Sequence, residues 1–164
     1  MKQQAVTGKE LIRLARAKCL LEAPYVAPAL SQMPLVINER VPTAAVSDSG
    51  VIYFNPQFAE RIHSEADGQL AVSVARLAFI VYHEVMHFVR GHAERAPQPM
   101  NAETEDLWNM AGDCEINDHI PKGMEMPASR SGEPIGVLPS DYNLPNGQLA
   151  EWYYEQLVSI GTRP

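Results

Sequence analysis

The sequence predicts an α+β fold, with a small antiparallel sheet toward the N-terminus packed on a bundle of helices. Three observations carry that expectation. Helical periodicity of 3.6 residues marks 9–22, 70–89, 101–120 and 147–160. Between the first two lie three short runs rich in β-branched residues, at 35–38, 43–46 and 51–54. Asp48-Ser49-Gly50 is a turn signal between the last two, so they read as a hairpin.

The first helix carries Leu11, Ile12, Leu14, Ala15, Leu20 and Leu21 among Arg13, Arg16 and Lys18, which is an amphipathic pattern. Thr7 with Glu10 three residues on has the form of a capping box, and Pro24 and Pro28 stop the helix. Asn55-Pro56 ends the third strand and starts a short helix at 57–63, whose His63 reads as a surface residue. Gly68 opens the 70–89 helix. It is apolar almost all round, as expected of a central helix covered on most sides. Gly91 is placed to end it as a left-handed cap. Asn101 caps the next helix, and Glu103, Glu105 and Asp106 crowd its first turn, where the helix dipole favours them. Pro121 stops it. Residues 123–146 read as a long loop with a short strand at 135–138, of the kind that covers a cleft or binds substrate.

Composition sets the class. The chain has 164 residues, read as one domain over 1–164 that buries roughly 70% of its unfolded surface. A hydrophobic fraction of 46% marks a globular chain. A formal net charge of −7 argues against nucleic acid or an anionic membrane as partner, since both require a basic face. Cys19 and Cys114 form no metal-binding pair and imply no disulfide framework. Residues 1–9 are polar and lack the apolar stretch of a signal peptide, and Arg76, His83 and Glu84 interrupt the longest apolar run. A soluble chain in a reducing cytoplasm is expected.

Two anomalies sit on the helices. The first is Tyr82-His83-Glu84-Val85-Met86-His87-Phe88. On a helix, residues four apart lie one above the other, so His83 and His87 point the same way, about a metal's width apart. Glu84 stands where a carboxylate reaches a water on that metal, the arrangement of zinc peptidases. The second lies on the helix after it. Leu107, Met110, Cys114, Ile116 and Ile120 define its apolar face, and Asp113 and Asn117 fall inside that face. A carboxylate there requires a partner. A metal on His83 and His87 supplies one, which makes Asp113 the third ligand and Asn117 a hydrogen-bond partner of Asp113 or of a ligating histidine. The alternatives are His92, if Gly91 turns the chain, and Glu115, if the register differs by two. The pattern itself puts Glu105 and Glu115 on the side opposite the apolar face.

Three segments resemble a known family: His83 to Phe88 with Gly91-His92-Ala93-Glu94-Arg95, Trp108-Asn109-Met110-Ala111-Gly112-Asp113 with Ile116-Asn117, and Ala150-Glu151-Trp152-Tyr153. It is the metallopeptidase domain that, in bacterial and phage proteins, often precedes a von Willebrand A-like domain. The likeness covers most of the chain, which departs from that arrangement by stopping at Pro164. The resemblance implies a compact zincin fold with His83, Glu84 and His87 in the site.

The expected function is zinc-dependent hydrolysis of peptide bonds. Zinc lowers its water's pKa to about 7 and polarises the scissile carbonyl. Glu84 takes the water's proton and passes it to the leaving amine. Strand 51–54 offers an edge for an extended substrate. Tyr82, His92, His119, Tyr142, Tyr153 and Tyr154 are all candidates to stabilise the oxyanion. The alternatives are a zincin-fold interaction module without turnover, against which the intact Glu84 argues, and a zinc hydrolase of a non-peptide amide.

Overall fold

Thr7 opens the first helix, α1 (Gly8–Glu22), through the expected capping box: its hydroxyl accepts from the Glu10 amide, and the Glu10 carboxylate accepts from the Thr7 amide. Such caps contribute about 1 kcal/mol. The structure, a computed structural model, describes residues 5–161. Within that span the elements run α1, α2 (Ala27–Leu30), β1 (Leu35–Ile37), β2 (Ala44–Val46), β3 (Ile52–Phe54), α3 (Pro56–Glu65), α4 (Leu70–Val89), α5 (His92–Arg95), α6 (Ala102–Asn117) and α7 (Ala150–Ser159). This is an α+β chain. α1 ends just before Pro24, as expected, but Pro28 lies beyond its end, in the first turn of α2, and Pro24 itself opens a short helical turn, because proline's fixed φ suits the first positions of a helix.

The described residues divide into two compact units, 5–85 with 120–135, and 86–119 with 136–161. The division falls within α4, which is one unbroken helix.

In the first unit α1 packs on α3, burying Leu11, Ile12, Ala15 and Cys19 on one and Phe58, Ala59 and Ile62 on the other. Asn55 caps α3 through its side-chain oxygen, 2.8 Å from the Gln57 amide. The sheet corrects the expected antiparallel arrangement. Its order is β1-β3-β2, with β1 parallel to β3 and β2 antiparallel to β3. The hairpin of β2 and β3 is as expected, with Ala44 opposite Phe54 and Val46 opposite Ile52. β3 takes the middle because it is the strand with two fully buried large side chains, Ile52 and Phe54. Strand 51–54 is therefore paired on both sides and offers no edge to a substrate; the sheet edges belong to β1 and β2.

His63 is half-buried rather than on the surface, with Nδ1 2.7 Å from Oγ of the fully buried Ser73. The 120–135 segment is tied to α4: Arg76 donates to Ala128 O at 3.2 Å, and the Glu125 amide donates to Ala75 O at 3.2 Å. Residues 135–138 are irregular, and the pairing nearby is a bridge between Ala128 and Pro134. By length and hydropathy alone α4 could cross a bilayer, but half of it is buried in protein.

In the second unit α6 and α7 pack together around Leu107, Ala111, Cys114, Tyr153 and Leu157. Asn101 caps α6 as expected, with its side-chain oxygen 3.0 Å from the Thr104 amide. The helix ends at Asn117 rather than near 120. Both cysteines are buried free thiols, and burial pushes each up to about 12, so neither is a ready nucleophile or ligand.

Candidate metal centre

The site is built on α4, α5 and α6. His83 and His87 stand one turn apart on α4, both half-buried. Asp113 reaches them from α6, with Oδ1 3.0 Å from His87 Nε2. One ligand atom from each of His83, His87 and Asp113 lies within 4.8 Å of the other two. The structure thus brings together the three residues that helical spacing and the apolar stripe had singled out. Two imidazole nitrogens and one carboxylate oxygen are the donor set of a three-ligand site with an open position, and this set suits a divalent ion of intermediate softness. Glu84, also half-buried, follows His83 on the same helix. The Phe79 ring meets the His83 ring edge-on, with centroids 6.3 Å apart.

His92 is where the sequence was least decisive. Gly91 adopts φ +63°, a conformation that side chains rarely adopt, and the chain turns there into α5. That turn does bring His92 to His87, but onto the far side of the ring. His92 Nδ1 lies 2.8 Å from His87 Nδ1, while His87 Nε2 faces Asp113. His92 is buried, its other nitrogen lies 3.1 Å from Glu115 Oε2, and its backbone oxygen accepts the Trp108 indole N–H at 2.8 Å.

Glu115 corrects the expectation that it faces away from the buried side of α6. It is 3% exposed and is the charged hub of the second unit. Arg90 donates to it at 2.8 Å, Arg95 at 3.2 Å, and the Ala150 amide, at the start of α7, at 2.7 Å. Arg95 is shared with Glu151 on α7. The expected register counted only apolar residues; α5 and α7 instead cover this side of α6 with groups that satisfy a carboxylate. Burial alone would raise the Glu115 carboxyl, but hydrogen bonds from His92, Arg90, Arg95 and the Ala150 amide outweigh it and hold it well below the usual carboxylate range. Its folded-state value lies under its unfolded one, so its stabilisation is complete above roughly pH 4.3 and is lost as pH falls below that. The stability difference between the parent and Glu115→Gln should therefore shrink as pH is lowered from 6 to 3. Chemical denaturation at each pH reads it, and a constant difference would place the stabilisation elsewhere.

Gly112 is a site residue that spacing arguments missed. A Cβ built there would sit 2.8 Å from His92 Nδ1 and 3.2 Å from His87 Cε1. The two imidazoles fit against α6 only because this position has no side chain. Gly112→Ala should cost about 1–3 kcal/mol, the usual effect of overpacking, and should loosen metal binding by displacing His87. Thermal melting and a zinc titration check both, and an unchanged affinity would show that the rings have room to move.

Asn117 is buried, as its place in the stripe implied, and its side-chain amide donates to Val137 O at 2.8 Å. Two oxyanion candidates have other occupations. Tyr153 is fully buried with its hydroxyl on Pro145 O at 2.8 Å, and both ring nitrogens of His92 are engaged. The Tyr25 hydroxyl bonds that of Tyr82 at 3.3 Å.

Comparison with known proteins agrees with this chemistry. Residues 9–160 match the family described as "Putative metallopeptidase domain". No curated protein and no solved structure matches the chain. The match spans nearly the whole sequence, including every residue of the His83, His87 and Asp113 cluster, and the chain belongs to this putative metallopeptidase domain family.

Proposed function

We propose that this protein is a zinc-dependent peptidase of the His-Glu-x-x-His type, with a zincin-like site in which His83, His87 and Asp113 hold the metal and Glu84 is the general base. The observation that carries the reading is the convergence of those three ligand atoms within 4.8 Å, on two different helices. Zinc in such a site supplies a Lewis acid that polarises the scissile carbonyl and acidifies the attacking water. The remaining work falls to the chain. His83 and His87 are fixed by the rigid spacing of one α4 turn. Asp113 adds the negative charge that offsets the ion. Glu84 accepts the proton of the attacking water and delivers it to the leaving amine nitrogen, so that one carboxylate serves as base and then as acid. Asn117, one turn beyond Asp113 on α6, would act as the hydrogen-bond partner of Asp113 or of a ligating histidine. The substrate is a peptide or an unfolded protein, and a cytoplasmic setting suits the two reduced thiols.

The test is hydrolysis of an unfolded protein and of small amides, before and after chelation and after zinc is restored. Peptide cleavage that disappears with the chelator and returns with zinc supports the reading. Cleavage of small amides alone would move the activity to a non-peptide hydrolase, and zinc binding without any turnover would leave an interaction module.

A further inference from the structure

Phe88 is a large apolar side chain that the fold leaves open beside the candidate reacting groups. It is 38% exposed, directly follows His87 and stands four residues after Glu84 on α4. Four residues of α-helix turn about 400° and rise about 6 Å, so Phe88 lies about 40° round the axis from Glu84, one turn further on. Residues so spaced are neighbours on the helix surface, with Cβ atoms about 5–6 Å apart. The imidazoles nearby are packed against other rings: His83 on Phe79, and His87 on His92, which in turn meets Trp108. Among the described residues no aromatic ring pairs with Phe88. The chain that follows also leaves it open. Three residues on is Gly91, which has no side chain, and its left-handed turn carries His92, four residues on, into a buried position. What remains is an apolar shelf one turn from Glu84. Glu94 Oε2 lies 3.3 Å from where a Gly91 Cβ would stand, so the charged groups before and after the shelf, Glu84 and Glu94, are both acidic.

We infer that Phe88 is a specificity-determining residue, whose ring receives a large apolar side chain of the substrate residue next to the bond that is cut. The inference rests on the peptidase reading above and deepens it. In that reading Glu84 takes the proton of the attacking water, so the attacked carbonyl lies close to its carboxylate. Consecutive Cα atoms of a peptide are about 3.8 Å apart, so only the residues adjoining the cut bond place side chains within reach of a group one helical turn from Glu84. An aliphatic side chain gains there by leaving water against the phenyl ring, and an aromatic one gains further from edge or offset ring contact. A carboxylate in the same place meets Glu84 and Glu94, and such like-charge juxtaposition disfavours Asp and Glu beside the bond.

The test has two arms on zinc-loaded protein. In the first, a mixture of peptides is cleaved and the cut sites are read by mass spectrometry, and kcat/KM is measured for two peptides that differ only in a central Phe or Ala. The parent's cut sites should be rich in Phe, Tyr, Leu and Met beside the bond and poor in Asp and Glu. In Phe88→Ala the ratio of kcat/KM for the Phe peptide to that for the Ala peptide should fall about 10-fold or more, the scale of discrimination in an apolar pocket. Phe88→Leu should move the preference from aromatic toward aliphatic residues, and it reads the same ratio if Phe88→Ala fails to fold. In the second arm, binding of the same two peptides is followed by calorimetry on the parent and on Glu84→Gln, without turnover. The Phe peptide should bind about 10-fold tighter or more, and Phe88→Ala should close that gap. Cut sites with no apolar preference in the parent, an equal loss for both peptides in the variant, or an unchanged ratio overturns the inference. If the parent cuts nothing, the peptidase reading fails, while the binding arm on the parent still decides whether Phe88 selects apolar side chains.

Discussion

Glu84→Gln should lower peptide hydrolysis by about 10²–10⁴-fold, the usual contribution of a general base, while zinc stays bound. The substitution keeps the side chain's shape and removes its ability to accept a proton. Glu84 follows His83 on α4 and is half-buried. Activity and metal content must be read on the same preparation. Equal activity in mutant and parent removes Glu84 from the mechanism. Loss of metal together with activity makes it a structural partner of the site instead.

Asp113→Ala should lower zinc affinity by more than about 100-fold, beyond the range of residues that act only through a ligand. Its oxygen faces His87 Nε2 at 3.0 Å, on the side of the ring away from His92. The geometry separates it from the two competitors for the third ligand. His92→Ala should weaken zinc less, because His92 touches only the opposite nitrogen of His87. Glu115→Ala should damage the fold first. It leaves His92, Arg90, Arg95 and the Ala150 amide without their shared acceptor, and breaking a buried ion pair in this way costs about 3–5 kcal/mol. Zinc affinity and unfolding free energy measured side by side sort the three variants. Parent-like zinc binding in Asp113→Ala, with the ligand lost in His92→Ala, would redraw the site.

Local signals explain what was legible beforehand. His83 and His87 could be placed because helical spacing is fixed over four residues, and Asp113 because a carboxylate inside an apolar stripe is costly without a partner. The caps at Thr7 and Asn101 are read from neighbours in sequence, and both form. What escaped depends on partners far along the chain. Glu115 looked exposed because the groups that satisfy its carboxylate are Arg90, His92 and Arg95 beyond the end of α4, and the Ala150 amide, 35 residues later. Gly112 has no side chain to signal a role, and only the two imidazole rings against it reveal one. The order β1-β3-β2 turns on a parallel pairing that alternation of residues does not encode, so the hairpin was legible and its third partner's direction was not.

X-ray absorption at the zinc edge, on protein loaded with one equivalent of zinc, tests the central claim most directly. The expected spectrum has two imidazole ligands near 2.0–2.1 Å and oxygen at about 2.0–2.2 Å, with no sulfur, and the oxygen contribution should fall in Asp113→Ala. A sulfur shell near 2.3 Å, a single imidazole, or failure to retain zinc in the parent would contradict a metal centre made by His83, His87 and Asp113.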